Sequence, residues 1–200
     1  MQLYGHRFSA YTQKVLVALY ENATPFTFRE LGAEHPENGA ALAALWPFRR
    51  FPVLVDEART VVESTIIIEY LDLRRPGPVR LIPEEARAAL DTRMMDRFFD
   101  NYVMTPTQTI VGDHLRPADQ RDPYGVERAR AMLDTAYGWL EATLAGRTWA
   151  AGGAFGLGDC AAAPSLFYAD WVHPIGAGLP NVRAYRQRLL ARPSFARAVD

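Results

Sequence analysis

Residues Arg49 to Ser64, RRFPVLVDEARTVVES, decide how the chain is read. Pro52 has no N–H to give a sheet ladder, so it stands at a strand's first position or just outside it. Val53, Leu54 and Val55 make a short apolar strand, Asp56 to Arg59 a turn, and Thr60 to Val62 the returning strand of a hairpin. Glu63-Ser64 then falls where a helix begins, with Ile67, Ile68 and Leu71 as its apolar positions. A helix N-terminus carries free N–H groups and partial positive charge, which makes this junction a ready carboxylate site.

Working outward, Gln2 to Gly5 reads as a strand and His6-Arg7-Phe8 as a loop. Ser9 precedes a helical run, AYTQKVLVALYEN, with apolar spacing at Tyr11, Val15, Ala18 and Leu19. Pro25 breaks it, and Thr27 to Leu31 is the next strand, so a βαβ unit with parallel pairing is expected. Pro36 to Leu45 is a second helix, Trp46-Pro47-Phe48 a loop, and Ser64 to Leu73 a third helix. Arg74-Arg75-Pro76-Gly77-Pro78 interrupts both periodicities and reads as a linker.

Beyond it no strand is convincing. Pro83-Glu84-Glu85 opens a helix with acids in its first turn. Leu90, Met94, Phe98 and Tyr102 repeat every four residues along it. Thr105-Pro106 predicts a kink or split. Val126, Ala129, Leu133, Ala136, Leu140 and Leu144 form another amphipathic helix. Asp159 to Trp171 is apolar on most sides, the pattern of a central buried helix. Two further helices start at Pro180 and Pro193. The expected plan is α/β plus all-α: an α/β domain over residues 1–75, a linker over 76–83, and a helical domain over 84–200.

The 200 residues suffice for one large or two small domains. A net charge of −1 argues against a nucleic-acid surface, which needs a clustered basic excess. No apolar run approaches a membrane span, so no membrane partner is expected. The single cysteine, Cys160, rules out an internal disulfide or a CxxC redox pair. The N-terminus lacks the charged and apolar regions of a secretory signal, so a cytoplasmic location is expected. Lys14 is the one lysine among 22 basic residues, which reads as compositional bias.

An apolar residue before proline, a hairpin, and Glu-Ser opening a helix resemble the glutathione-binding half of the cytosolic glutathione S-transferases. SAYTQKV at Ser9 resembles the Ser-Pro-Tyr/Phe-x-x-Lys/Arg-Val element of serine-type, bacterial-like members, with Ala10 in place of the proline. The resemblance covers essentially the whole chain. It implies a thioredoxin-like βαβαββα domain followed by a helical bundle, and a cis bond at Phe51-Pro52. It further implies that the Phe51 backbone meets the cysteinyl part of glutathione, that Glu63 and Ser64 hold the γ-glutamyl end, and that the Ser9 hydroxyl supports the sulfur. Arg50 is expected at the glycine carboxylate, with Arg49 and His35 as alternatives. Arg49 stands where the family usually has glycine, and Trp46 where it often has asparagine. Tyr4 and Tyr11 are rival activating residues. The resemblance also implies an electrophile pocket between the domains, with Phe8, Tyr11, Phe99, Tyr102 and Met104 as candidates. The sequence ends soon after its last expected helix, so an open pocket that takes broad or bulky electrophiles is expected. A homodimer is implied, with Asp96 or Asp100 reaching the partner's glutathione. In the second half, the family's Ser/Thr-x-x-Asp capping element is replaced by Gly156-Leu157-Gly158-Asp159.

Each of these residues has a plainer reading beside the functional one. Ser9 and Ser64 suit helix caps, Arg50 and His35 a solvated surface, and aromatics at helical spacing a core. The chemistry nonetheless balances on few groups. Lowering a thiol pKa from about 8.5 by about 2 units takes roughly 2.7 kcal/mol. A hydrogen bond to a charged acceptor supplies roughly 1.5–3 kcal/mol, and a helix dipole about 0.3–1 kcal/mol more. A serine donor on a helix N-terminus therefore suffices without a histidine base or a metal, and glutathione is the co-substrate. The expected function is detoxifying conjugation of the glutathione thiolate to a small apolar electrophile. The alternatives are a glutathione-dependent isomerase or peroxidase, or a non-catalytic binding protein of the same fold.

Overall fold

The computed structural model describes residues 1–199. Asp200, the last residue of the expected helical domain, lies outside the described residues. The strands are β1 (Gln2–Gly5), β2 (Thr27–Glu30), β3 (Val53–Asp56) and β4 (Arg59–Val62). The α-helices are α1 (Ala10–Glu21), α2 (Pro36–Leu45), α3 (Ser64–Arg74), α4 (Ala86–Phe98), α5 (Thr105–His114), α6 (Pro123–Thr143), α7 (Leu157–Val172), α8 (Pro180–Leu190) and α9 (Pro193–Val199). They form two compact units, Met1–Ile82 with α9, and Pro83–Arg192.

The first unit has the expected thioredoxin-like βαβαββα order and a sheet ordered β2-β1-β3-β4. β1 runs parallel to β2 and antiparallel to β3, and β3 and β4 form the hairpin. Strand alternation divides the sheet's side chains between its faces. Val53, Tyr4 and Val62 pack with Leu31, Leu42, Leu45 and Trp46 on the α2 side. Leu3, Leu54 and Val61 are buried on the other, where α3 packs against β3 and β4 and α1 lies beside α3. The end of β1 passes close over α1: a Cβ on Gly5 would come within 2.5 Å of the Thr12 methyl.

The boundaries of this unit differ from those expected of residues 1–75. The proline-rich stretch is fastened to it, because Asn22 holds both the N–H (2.8 Å) and the carbonyl (3.0 Å) of Val79. Leu81 is buried and donates its N–H to Asp72. Helix α9 returns to pack on α1, with Phe195 buried, Ser194 bonded to Glu21, and the Arg197 guanidinium 4.1 Å from the Tyr20 ring centre. This cover explains why α1 is buried nearly all round from Thr12 to Leu19, although its spacing reads as one apolar stripe.

In the second unit, α7 is the buried central helix, as its composition predicts. Gly158 lets α4 approach it, since a Cβ there would lie 2.9 Å from the Met95 Cβ. Asp159 holds the start of α7. Its carboxylate accepts from Ala150 N (2.8 Å), Gly156 N (2.9 Å) and the Tyr185 hydroxyl (2.6 Å). The break predicted at Thr105-Pro106 takes the form of a register change. Pro106 has no N–H to return to the preceding turn. Residues Phe99–Met104 widen into a π-helical segment, in which Thr105 N reaches Asp100 O.

The four-residue repeat on α4 needs correcting. Leu90, Met94 and Tyr102 are exposed while Phe98 is buried, and the other buried positions are Ala89, Thr92, Met95, Asp96, Phe99, Asp100 and Val103. Two carboxylates are tolerated there because Arg97 bonds both Asp96 and Asp100. That pairing, together with the register change, moves the buried stripe off the apolar repeat.

Candidate functional site

Strand register brings three distant segments to one end of the first unit's sheet. Tyr4 pairs with Val53, so Gly5 and His6 run on beside Pro52 and Phe51. Val53 also pairs with Val62, so Pro52 and Phe51 run on beside Glu63 and Ser64. The aromatic contact of His6 with Phe51, centroids 6.5 Å apart, marks the same junction. The Phe51–Pro52 bond is cis.

Ser9 is the N-cap of α1. Its Oγ accepts from Thr12 N at 3.2 Å, and its own N–H bonds His6 O. The buried Gln13 side chain donates to Arg7 O at 2.8 Å, and Arg7 pairs with Glu30 at 2.8 Å, so the loop carrying Ser9 is held from both sides. Capping uses a lone pair of Ser9 Oγ and leaves its O–H to donate elsewhere. The cap and donor readings of Ser9 are therefore compatible.

Glu63 caps α3 with φ 69° and ψ 120°, outside the ordinary regions for a side-chain-bearing residue. Such a conformation costs about 1–3 kcal/mol and clusters at ligand-holding sites. Ser64 is buried at the first position of α3, where amide N–H groups are free. The Lys14 ammonium, itself buried, donates to the Thr65 hydroxyl at 2.9 Å and ties α1 to the same helical turn.

The other expected residues fall unevenly. Arg49 has φ 53°, in the left-handed region that favours glycine. Arg49 and Arg50 are both exposed on the loop leading to Phe51. His35 is exposed on the α2 side and lies 3.5 Å from Glu37. The Tyr4 hydroxyl bonds Gln2, at the opposite end of β1 from Ser9. Phe8 is 78% exposed beside Ser9, and Tyr11 is half-buried on α1.

Phe99 and Met104 are buried in the helical core, Phe99 stacking on Tyr185, so neither offers a surface to a ligand there. Tyr102 lines an apolar cavity of about 620 Å3 within the second unit, with Phe98, Arg128, Met132 and Trp139. The Phe98 and Trp139 rings stack at 4.3 Å. Sequence reading passed over Met132 and Trp139. Their seven-residue spacing on the face of α6 away from Leu133 and Leu140 is the signal that marks them. Among the described residues no group of His, Cys, Asp and Glu side chains is placed to hold a metal ion, and no helix is long and apolar enough to cross a membrane.

Residues 3–79 match the family model for "Glutathione S-transferase, N-terminal domain", and residues 123–188 that for "Glutathione S-transferase, C-terminal domain". The chain belongs to the glutathione S-transferase family. It is 29% identical to the glutathione S-transferase GstB of Escherichia coli, over 98% of this chain and 96% of that protein. It is also 29% identical to a probable maleylacetoacetate isomerase of Vibrio cholerae, over 98% and 94% of the two chains. A glutathione S-transferase of Methylobacterium radiotolerans, solved in complex with glutathione sulfonate, superposes with a TM-score of 0.84 at 29% identity, covering 99% of this chain and 93% of that one.

Proposed function

We propose that the chain is a glutathione transferase in which Ser9 stabilises the glutathione thiolate for attack on an apolar electrophile. The observation that carries this is Ser9 at the N-terminus of α1, with Oγ accepting one cap bond and its O–H free to donate. A thiolate placed there gains a charge-assisted hydrogen bond and the positive end of α1. The thiol proton leaves to solvent. The sulfur lone pair forms a C–S bond to the electrophilic carbon, and the displaced pair leaves with the leaving group or, in an addition, takes up a proton. Glu63 receives the γ-glutamyl amine, Ser64 and the α3 amides its carboxylate, the backbone at Phe51-Pro52 the cysteinyl unit, and Arg50 the glycine carboxylate. Phe8 and Tyr11 are the apolar groups beside Ser9 for the electrophile.

The second reading, a glutathione-dependent isomerase, is favoured by the Vibrio cholerae relative. Against it, the loop is His6-Arg7-Phe8-Ser9, where the isomerase branch carries a Ser-Ser-Cys-Ser type sequence. The test is ultraviolet thiolate absorbance on adding glutathione near neutral pH, wild type beside Ser9→Ala, with binding followed by calorimetry. A thiolate band that fades in Ser9→Ala while binding persists is the expected result. An equal band in both proteins overturns the role of Ser9. Bound glutathione with no band and no turnover across an electrophile panel makes the protein a carrier.

A further inference from the structure

The loop from His6 to Ser9 is fastened at several points. Ser9 N–H bonds His6 O at 3.0 Å, the Gln13 side chain donates to Arg7 O at 2.8 Å, and the Arg7 guanidinium meets Glu30 at 2.8 Å. A further fastening is the His6 ring itself, because Phe8 N–H donates to His6 Nδ1 at 3.2 Å. His6 follows β1 directly and is half-buried. Its ring centre lies 5.7 Å from that of Phe8 and 6.5 Å from that of Phe51. His6 therefore stands between the residue placed above beside the electrophile and the one placed at the cysteinyl unit.

This fastening depends on the charge of the ring. A backbone N–H can only donate, so Nδ1 must accept. The imidazole is therefore neutral, with its proton on Nε2. Protonation turns Nδ1 into a second donor facing the first, and the bond to Phe8 is lost. Histidine is the side chain whose charge ordinarily changes within about pH 5–8. The charged groups on the elements that meet here are Arg7 with its partner Glu30, Arg49 and Arg50 on the loop leading to Phe51, Lys14 on α1, and Glu63 ahead of α3. The other histidines lie elsewhere: His35 caps α2, and His114 and His173 belong to the second unit.

We propose that His6 is a positioning residue for the thiolate donor: its neutral Nδ1 holds the Phe8 amide and so keeps Phe8 and Ser9 in place, and protonation releases that hold. The proposal rests on the glutathione-transferase reading above. Its consequence is an acid limb of activity that depends on two protons, one taken up by the thiolate and one by His6.

The experiment measures kcat with saturating glutathione and a chromogenic electrophile across about pH 5–8, beside glutathione Kd by calorimetry. The proteins are wild type, His6→Phe and His6→Asn. His6→Phe keeps a ring between Phe8 and Phe51 but has no acceptor. It is expected to lower kcat at the upper end of the range about fivefold, the size of one neutral hydrogen bond, with Kd within about twofold. His6→Asn offers an oxygen that accepts from the N–H two residues on and does not titrate. It is expected to keep kcat within about twofold of wild type at the upper end of the range. In log kcat against pH the wild-type acid limb should approach a slope of about 2, and both variants about 1. Wild-type kcat in His6→Phe, an equal loss in both variants, or an acid limb of the same slope in wild type and His6→Asn overturns the proposal. If His6→Phe fails to fold, the slopes of wild type and His6→Asn decide. A wild type with no thiolate absorbance on binding glutathione, or with a band unchanged in Ser9→Ala, overturns the underlying reading instead, so the two failures are distinct.

Discussion

Replacing Asp159 with asparagine isolates one buried charge. The Asp159 carboxylate is 1% exposed and accepts from two backbone amides and the Tyr185 hydroxyl. Burial opposes the charge, the three donors favour it, and burial prevails: the pKa is pushed up to about 6 from 3.8. Burial and the neighbouring Asp159 push the Tyr185 phenol well upward, so it remains a donor throughout. Because the folded state holds the Asp159 proton more tightly than the unfolded chain, the stabilisation from this group is full below about pH 4 and is lost as pH rises through about 6. A shift of about 2 units corresponds to roughly 3 kcal/mol across that window. Other carboxylates titrate in the same range, so the quantity to follow is the difference between wild type and Asp159→Asn. Urea denaturation from pH 4 to pH 7 should show wild type losing about 3 kcal/mol relative to Asp159→Asn. A difference that stays flat with pH, or grows with it, refutes a raised carboxyl pKa. Asp159→Ala strands the two amides and the phenol. At about 1–3 kcal/mol for each unpaired buried group it removes a large share of a typical 5–15 kcal/mol. Calorimetry on the folded fraction of either variant should return wild-type glutathione affinity; a stable variant that no longer binds would contradict a purely structural role.

Three further outcomes are expected. Ser9→Ala loses the bond to Thr12 N as well as the thiolate donor, so chemical denaturation should show it less stable by about 1 kcal/mol; an unchanged midpoint would mean that the cap contributes nothing. Glu63→Gly places the permissive residue at φ 69°, so stability should stay within about 1 kcal/mol of wild type while glutathione Kd rises at least about tenfold. Unchanged affinity there would detach Glu63 from the ligand. Sedimentation at micromolar concentration should give a homodimer, and a monomer at all concentrations would remove that expectation.

What was legible in the sequence was local, and what was not depended on contacts far along the chain. The hairpin from Val53 to Val62 and the cap at Ser9 each follow from a few adjacent residues, and both stand where the sequence places them. The strain at Glu63 leaves no compositional trace, because the residue is a glutamate where the backbone would suit glycine. The contacts made by α9 and by Asn22 draw residues 76–82 and the C-terminal helix into the first unit; no periodicity encodes contacts 57 and 173 positions apart. Lys14 illustrates the same limit from the other side. In the sequence it stands at the Lys/Arg place of the SAYTQKV element, and its being the lone lysine reads as bias. The structure shows it buried and bonded to Thr65, 51 positions along the chain. The stripe of Leu90, Met94 and Tyr102 carries the complementary lesson. An apolar repeat shows which residues share a helix face, but the face buried here carries the carboxylates that Arg97 bonds and runs into the turn widened ahead of Pro106. Buried polar groups with partners outweigh apolar periodicity there.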